Sequence, residues 1–329
     1  MARVLLFGAG ATGARIARQL RASGAVDTLE IRDPNLERRE RLVDDLGDGA
    51  VAGHGRRITD DPVVVVATPS GTQLGLARRA MHEGIAVVTT SNQTSEVRRL
   101  LELDDEARSR RVPVVVGAGF MPGLSCVLAR HGAREFDEVE ELHVAKVGTG
   151  GPACARQHHQ ALSSTGIDWR DGRWMRRAGG SGRELAWFPD PVGGRDCYRA
   201  ALPDALLLVP EFDGVQRVTA RQAATRRDRL TAPLPMLRPP HAEGGIGAIR
   251  VELRGRVGIE RRVSVYGAIE RPAVAAGAVA AATTMHVLAG DLAPGARGLA
   301  GHADTVGLLT TLADRGVKPV RFEGISTFV

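Results

Sequence analysis

The sequence offers little for covalent or metallic stapling. Cysteine occurs only at positions 126, 154 and 197 of 329 residues. An odd number at such wide spacing indicates neither a disulfide framework nor a zinc site, so reduced thiols and a cytoplasmic location are expected. Long apolar runs are also missing. The longest uncharged stretch, residues 273–290, is mostly Ala, Gly, Val and Thr with His286 inside it, too weakly apolar to span a membrane and better suited to a packed helix. Met1, Ala2 and Arg3 run directly into apolar sequence, so no secretory signal is expected. No internal repeat or low-complexity tract is present. Lysine is nearly absent: Lys146 and Lys318 stand against 42 arginines. Where almost every cation has become arginine, a retained lysine points to a need for an ammonium, which unlike a guanidinium can lose its proton.

What is present describes an ordinary globular chain. Hydrophobic residues make up 43% and charged residues 25%, and the length allows two domains with proper cores. The net charge of +6 does not argue for a nucleic-acid partner, because the basic residues alternate with acids, as in LERRERLVDD and DDEARSRR.

The stretch Arg3 to Gly13, RVLLFGAGATG, organises the rest. Val4 to Phe7 form the short apolar run of a strand buried on both faces of a parallel sheet. Gly8, Gly10 and Gly13 then give the G-x-G-x-x-G spacing, with Ala11 and Thr12 in the turn, as the chain enters a helix carrying Ile16, Ala17 and Leu20. Gly8 permits the tight turn, Gly10 clears the approach of a pyrophosphate, and Gly13 lets helix and strand pack closely. The free helix amides face an anion. A second strand, Thr28 to Ile31, leads to Asp33, twenty residues past Gly13, where a carboxylate accepts hydrogen bonds from an adenosine ribose. Asp33 followed by Pro34 predicts NAD rather than NADP, with Arg32 as the residue able to open the site to NADP.

The pattern continues with a helix over 35–46 bearing Leu36, Leu42, Val43 and Leu46 on one face, a short strand at Val51 and Ala52, and a strand at Val63 to Ala67. Thr68, Pro69, Ser70 and Gly71 follow at its carboxyl end, where open α/β sheets bind ligands, and are placed beside the nicotinamide half of the cofactor. Helix 73–82, strand 85–89, helix 96–110 and strand 112–116 complete a doubly wound Rossmann sheet. Next comes Gly117-Ala118-Gly119-Phe120-Met121-Pro122-Gly123-Leu124-Ser125.

Taken with FGAGATG and the ATPSG loop, this GFMPGLSCVLA element resembles the saccharopine dehydrogenase-like NAD(P)-dependent oxidoreductases. The resemblance implies a Rossmann domain over 1–125, an inserted α+β substrate domain over 126–270 built on a mixed or antiparallel sheet, and a C-terminal helical segment, 271–329, returning to the Rossmann domain. In that family the element commonly reads G-x-D-P-G; Met121 stands where relatives carry the acid.

Beyond Val139 strand-like segments predominate, at 141–147, 184–188, 205–210, 215–220, 247–254 and 261–268. The last two read as an antiparallel pair, with Ile249, Val251 and Leu253 set against Val263, Val265 and Tyr266 or its neighbours. All three tryptophans, Trp169, Trp174 and Trp187, fall in this region.

A Rossmann oxidoreductase needs an acid or base for the proton that accompanies the hydride. Lys146 ends a probable strand before the Gly148-Thr149-Gly150-Gly151 loop, within reach of the interdomain cleft, and is the first candidate. His158 and His159, behind that loop, are the others; as adjacent residues they do not converge on a metal, and no metal is expected. Gly119 is assigned to the cofactor, and Met121, Pro122, Gly123 and Arg156 to the substrate. Arg183 and Arg199 are further forks for a substrate carboxylate, and Asp168, Asp171 and Asp190 are candidates for an amine or for turns. The expected activity is hydride transfer to or from an amino-acid-derived imine, forming or oxidising a secondary amine. The alternatives are a semialdehyde or hydroxy-acid dehydrogenase of homoserine dehydrogenase-like architecture and a non-catalytic NAD(H)-sensing protein. The expected partner is a small amino-acid-like substrate, without nucleic acid or membrane, in a homodimer.

Overall fold

The computed structural model describes residues 2–55, 57–58, 62–236, 239–302 and 304–322. The first unit runs β1 (Arg3–Phe7), α1 (Ala11–Ala22), β2 (Thr28–Arg32), α2 (Leu36–Leu46), β3 (Ala50–Ala52), β4 (Val63–Val66), α3 (Gln73–His82), β5 (Ala86–Thr89), α4 (Thr94–Leu101), α5 (Asp104–Ser109) and β6 (Pro113–Val115). Its strands pair in parallel in the order β6-β5-β4-β1-β2-β3, so the order reverses between β1 and β4, where a ligand crevice forms. The cause lies in the sequence: β4 is four valines buried on both faces, which only a strand covered by helices on each side can be.

The chain continues as α6 (Leu124–Ala133), β7 (Glu138–Val147), α7 (Pro152–Ala161), β8 (Gly166–Arg170), β9 (Arg173–Arg177), β10 (Glu184–Phe188), β11 (Gly193–Arg199), α8 (Asp204–Leu208), β12 (Arg217–Ala223), α9 (Arg226–Thr231), β13 (Gly247–Val257) and β14 (Glu260–Glu270). It closes with α10 (Pro272–Ala289), β15 (Gly295–Arg297), α11 (Thr305–Asp314) and β16 (Pro319–Phe322). The second sheet is mixed, ordered β10-β11-β12-β7-β13-β14-β16, with β8 and β9 attached to β12. Within it β12 runs parallel to β7, and β13 runs antiparallel to both β7 and β14. The central strand β7 therefore carries Lys146 next to its carboxyl end.

Several local expectations change. The helix expected over 96–110 is two helices: Leu103 turns into the core, and Asp104 Oδ1 accepts the Ala296 N–H of β15 at 2.8 Å. The strand expected at 205–210 is α8 followed by a 3-10 turn. Ala205 to Leu208 are all buried, and an apolar run buried all round carries no period to separate helix from strand. Leu36 is exposed rather than in the core of α2. In the β13–β14 pair, Ile249, Val251 and Leu253 oppose Ala268, Tyr266 and Ser264; Val263 is half-exposed on the other face. Strands β8, β9 and β11 were not foreseen, being short and rich in charge. The segment from 271 is not purely helical. It lends β15 to the first sheet beside β6 and β16 to the second beside β14, while α10 packs on α1 with Gly277 against Arg15 and Ile16. Residues 323–329 of that segment lie outside the described residues.

Candidate functional site

A cleft of about 1340 Å³ lies over the carboxyl ends of β1 and β4 and is closed on its far side by β7 and α7. The three glycines of the first turn divide its construction. A Cβ on Gly8 would meet the Ala67 carbonyl oxygen at 2.5 Å, with φ at +104°, and one on Gly13 would lie 1.8 Å from the Gly8 carbonyl oxygen. Strand, turn and helix thus touch backbone to backbone. Gly10 is different: it lines the cleft, and nothing stands within 4 Å of where its Cβ would be. That leaves α1's first amides open to an anion, and the cradle fits a pyrophosphate.

Asp33 ends β2 with a nearly buried carboxylate. Its Oδ2 accepts the Ala9 N–H at 2.7 Å and its Oδ1 the Asn35 N–H at 2.8 Å. Arg38, one turn into α2, donates to both oxygens at 2.7 and 2.9 Å. Arg32 does not fold over Asp33. It is tied to Glu30 at 2.6 Å and to the Arg57 carbonyl and lies over the Phe7 ring. The cation that faces Asp33 is therefore Arg38, which with exposed Leu36 also lines the cleft.

After β4 the turn Thr68–Ser70 is fixed by buried Gln73, which donates to the Thr68 carbonyl at 2.8 Å and accepts the Thr90 N–H at 3.1 Å. Glu96 in turn accepts the Gln73 N–H at 2.8 Å. Ser70 Oγ donates to Gln157 of α7 at 2.7 Å, a bond that joins the two walls of the cleft. Gly151, just before α7, comes so close to Ala11 that a Cβ would lie 2.7 Å from the alanine's own.

Thr68, Pro69, Gly119, Met121 and Pro122 line the cleft. Gly123 does not; it sits under the turn, where a Cβ would strike the Gly119 carbonyl oxygen at 2.2 Å. Met121 is 2% exposed and places a thioether where a carboxylate was the family expectation.

Lys146 also lines the cleft, 5% exposed. Among the described residues it has no hydrogen-bond or ion-pair partner. Arg156, exposed at the cleft rim on α7, accompanies it. The two histidines turn away. At about 100° per residue, α7 sends Arg156 and Gln157 into the cleft and carries the next two side chains past it. His158 lies against the second sheet, where burial, reinforced by the Lys146 charge, pushes its imidazole down to about 3. His159 Nε2 instead meets the Leu234 carbonyl at 3.0 Å. Arg183 pairs with Asp196 at 3.0 Å, and Arg199 with Asp168 at 2.8 Å; none of these four reaches the cleft, and neither do Asp171 and Asp190.

Sequence reasoning passed over Arg38 and Gln157, which no local spacing marks.

No family model matches the sequence. Among solved structures, apo saccharopine dehydrogenase (L-Glu forming) from Saccharomyces cerevisiae is similar with a TM-score of 0.74 at 14% identity, over 98% of this chain and 100% of that one. A probable dehydrogenase from Thermotoga maritima is similar at 0.51 and 10% identity, over 97% and 98%. The C. glutamicum DAP dehydrogenase in complex with DAP is similar at 0.50 and 13% identity, over 93% and 95%. At such identities the likeness establishes a fold, and it does so for both sheets together.

Proposed function

We propose that this chain is an NAD(P)-dependent oxidoreductase that transfers hydride to or from an amino-acid-derived imine, with Lys146 handling the accompanying proton. The observation that carries the reading is Lys146 itself: a nearly buried ammonium with no closed ion pair among the described residues, facing the same cleft as the open cradle at Gly10. A purely structural lysine in that position would be expected to close an ion pair, because burying a charge unpaired is costly. The fold shared with proteins named as saccharopine and DAP dehydrogenases agrees with an amino-acid-like substrate.

When bound, a nicotinamide would supply or accept the hydride. The Gly8–Gly13 turn would hold the pyrophosphate, Asp33 the adenosine ribose, and Thr68–Ser70 the nicotinamide end. Lys146 donates a proton to the substrate heteroatom during reduction and takes it back during oxidation. Arg156 holds a substrate carboxylate at the rim, and its fork favours a planar anion. Met121 keeps the floor apolar at one point, with Pro122 beside it.

The test combines fluorescence titration of NADH and NADPH with turnover assays in which amino acids are paired with 2-oxo acids and aldehydes. Lys146→Met should leave cofactor binding intact and lower turnover by about 10²- to 10⁴-fold. Lys146→Arg should fail nearly as badly, since guanidinium keeps its proton. Near-normal turnover in Lys146→Arg refutes the proton-handling role, and tight cofactor binding with no turnover on any pair favours a nucleotide sensor.

A further inference from the structure

Behind Lys146 the protein buries polar groups that are only half paired. Lys146 pairs in register with Gln222 of β12 and Ile249 of β13, so the three side chains share one face of the sheet. Leu142, Val144 and Ile249 on that face are fully buried, in the layer where α6 and α8 pack on the sheet. Asp204 opens α8, with no exposed surface at all. Its Oδ1 accepts the Ser125 Oγ hydrogen at 2.7 Å, and its Oδ2 has no partner among the described residues. Gln222, equally buried, donates Nε2–H to the His158 carbonyl at 2.7 Å and leaves Oε1 without a partner among the described residues. Buried polar atoms rarely go unpaired; Gln222 is the register neighbour of the one buried lysine, and the charge of that lysine reaches Asp204.

We propose that Asp204 is the positioning residue for Lys146: a carboxylate fixed by Ser125 whose free oxygen directs the ammonium into the cleft, with Gln222 beside it. This rests on Lys146 being the proton-handling group. The ion pair is not closed in this structure, which leaves the ammonium free to reach outward while remaining in the carboxylate's field. The other groups around the pair are Ser125 and Cys126 from α6, His158 from α7 and Gln222 from β12. His158 is held neutral by its burial, and burial pushes the Cys126 thiol up to about 12. Asp204 alone among them changes charge in the neutral range, since burial raises its carboxyl to about 6 against the opposing pull of Ser125 and Lys146.

The scarcity of lysine makes this directly measurable. In a Lys318→Arg background Lys146 is the sole lysine. Reductive methylation with ¹³C-formaldehyde then gives one dimethyl-lysine NMR signal besides the N-terminus, and dimethylation keeps the charge. That signal should show an inflection near pH 6 as Asp204 titrates, Asp204→Asn should abolish it, and Ser125→Ala should move it to higher pH. An inflection that is missing, or that survives Asp204→Asn, overturns the proposal. If Asp204→Asn does not fold, the direction of the Ser125→Ala displacement decides. The measurement needs no substrate. Intact turnover in Lys146→Met would therefore remove the functional reading while leaving the coupling measurable, and an absent inflection with normal NADH binding would remove only this inference.

Discussion

Asp204 carries a second consequence, for stability. A carboxyl raised from its ordinary 3.8 to about 6 binds its proton more tightly in the folded than in the unfolded chain. Between those pH values the folded state holds more protons, so stability falls as pH rises through the window. Each pH unit is worth about 1.4 kcal/mol, so above pH 6 the ionised Asp204 costs about 3 kcal/mol relative to its protonated form. Asp204→Asn mimics that protonated form in shape, and its amide oxygen can still accept from Ser125. The D204N variant should therefore match the parent at pH 4, gain through pH 5 and 6, and be more stable by about 3 kcal/mol at pH 8. The acids whose carboxyls are held low by arginine partners, Glu30 and Glu252 among them, lose stability toward acid in both proteins and cancel in the comparison. Urea unfolding followed by tryptophan fluorescence at pH 4, 6 and 8 measures the difference. A gap that does not change with pH, or a variant weaker at pH 8, refutes the reasoning. Greater stability with impaired chemistry would mark Asp204 as a residue kept for function.

Cofactor choice should turn on Asp33 and Arg38 together. NADH should bind more tightly than NADPH; Asp33→Ser should narrow the difference, and Arg38→Ala should weaken NADPH at least about tenfold more than NADH, as loss of a charge-assisted bond implies. Tighter NADPH binding by the parent protein would sink the assignment of Asp33. Met121→Asp should alter substrate KM more than cofactor Kd, and equal effects on both would displace Met121 from the substrate wall. Gly13→Ala should cost about 3 kcal/mol or more, because its Cβ has to share space with the Gly8 carbonyl; a thermal midpoint unchanged within error would contradict the described packing.

The first half was legible because its signals are local. Apolar runs such as VVVV, glycines at fixed spacing and an acid twenty residues on each depend on a few adjacent positions. Gly8 and Gly13 make the tight turn and the close packing that their spacing implied. The second half was less legible, because its strands are charged on one face and its decisive contacts are distant. Nothing near Asp33 in sequence says that Arg38 rather than Arg32 will face it; the turn of α2 decides. The histidines failed as cleft residues through helix phase, which a loop of uncertain length before α7 leaves undetermined. Asp204 could not be tied to Lys146 because α7 and β8 to β11 lie between them in sequence.

The last strands of the chain complete both sheets: β15 lies beside β6, and β16 beside β14. During synthesis, then, the first half leaves the ribosome early but keeps an open edge at β6 until residues 295–297 emerge. Such long-range closure slows folding and leaves unpaired strand edges exposed in the meantime. The first half expressed alone would present that edge to other chains, and a C-terminal fusion or truncation would disturb both halves at once. The two units are separable on paper but mature as one.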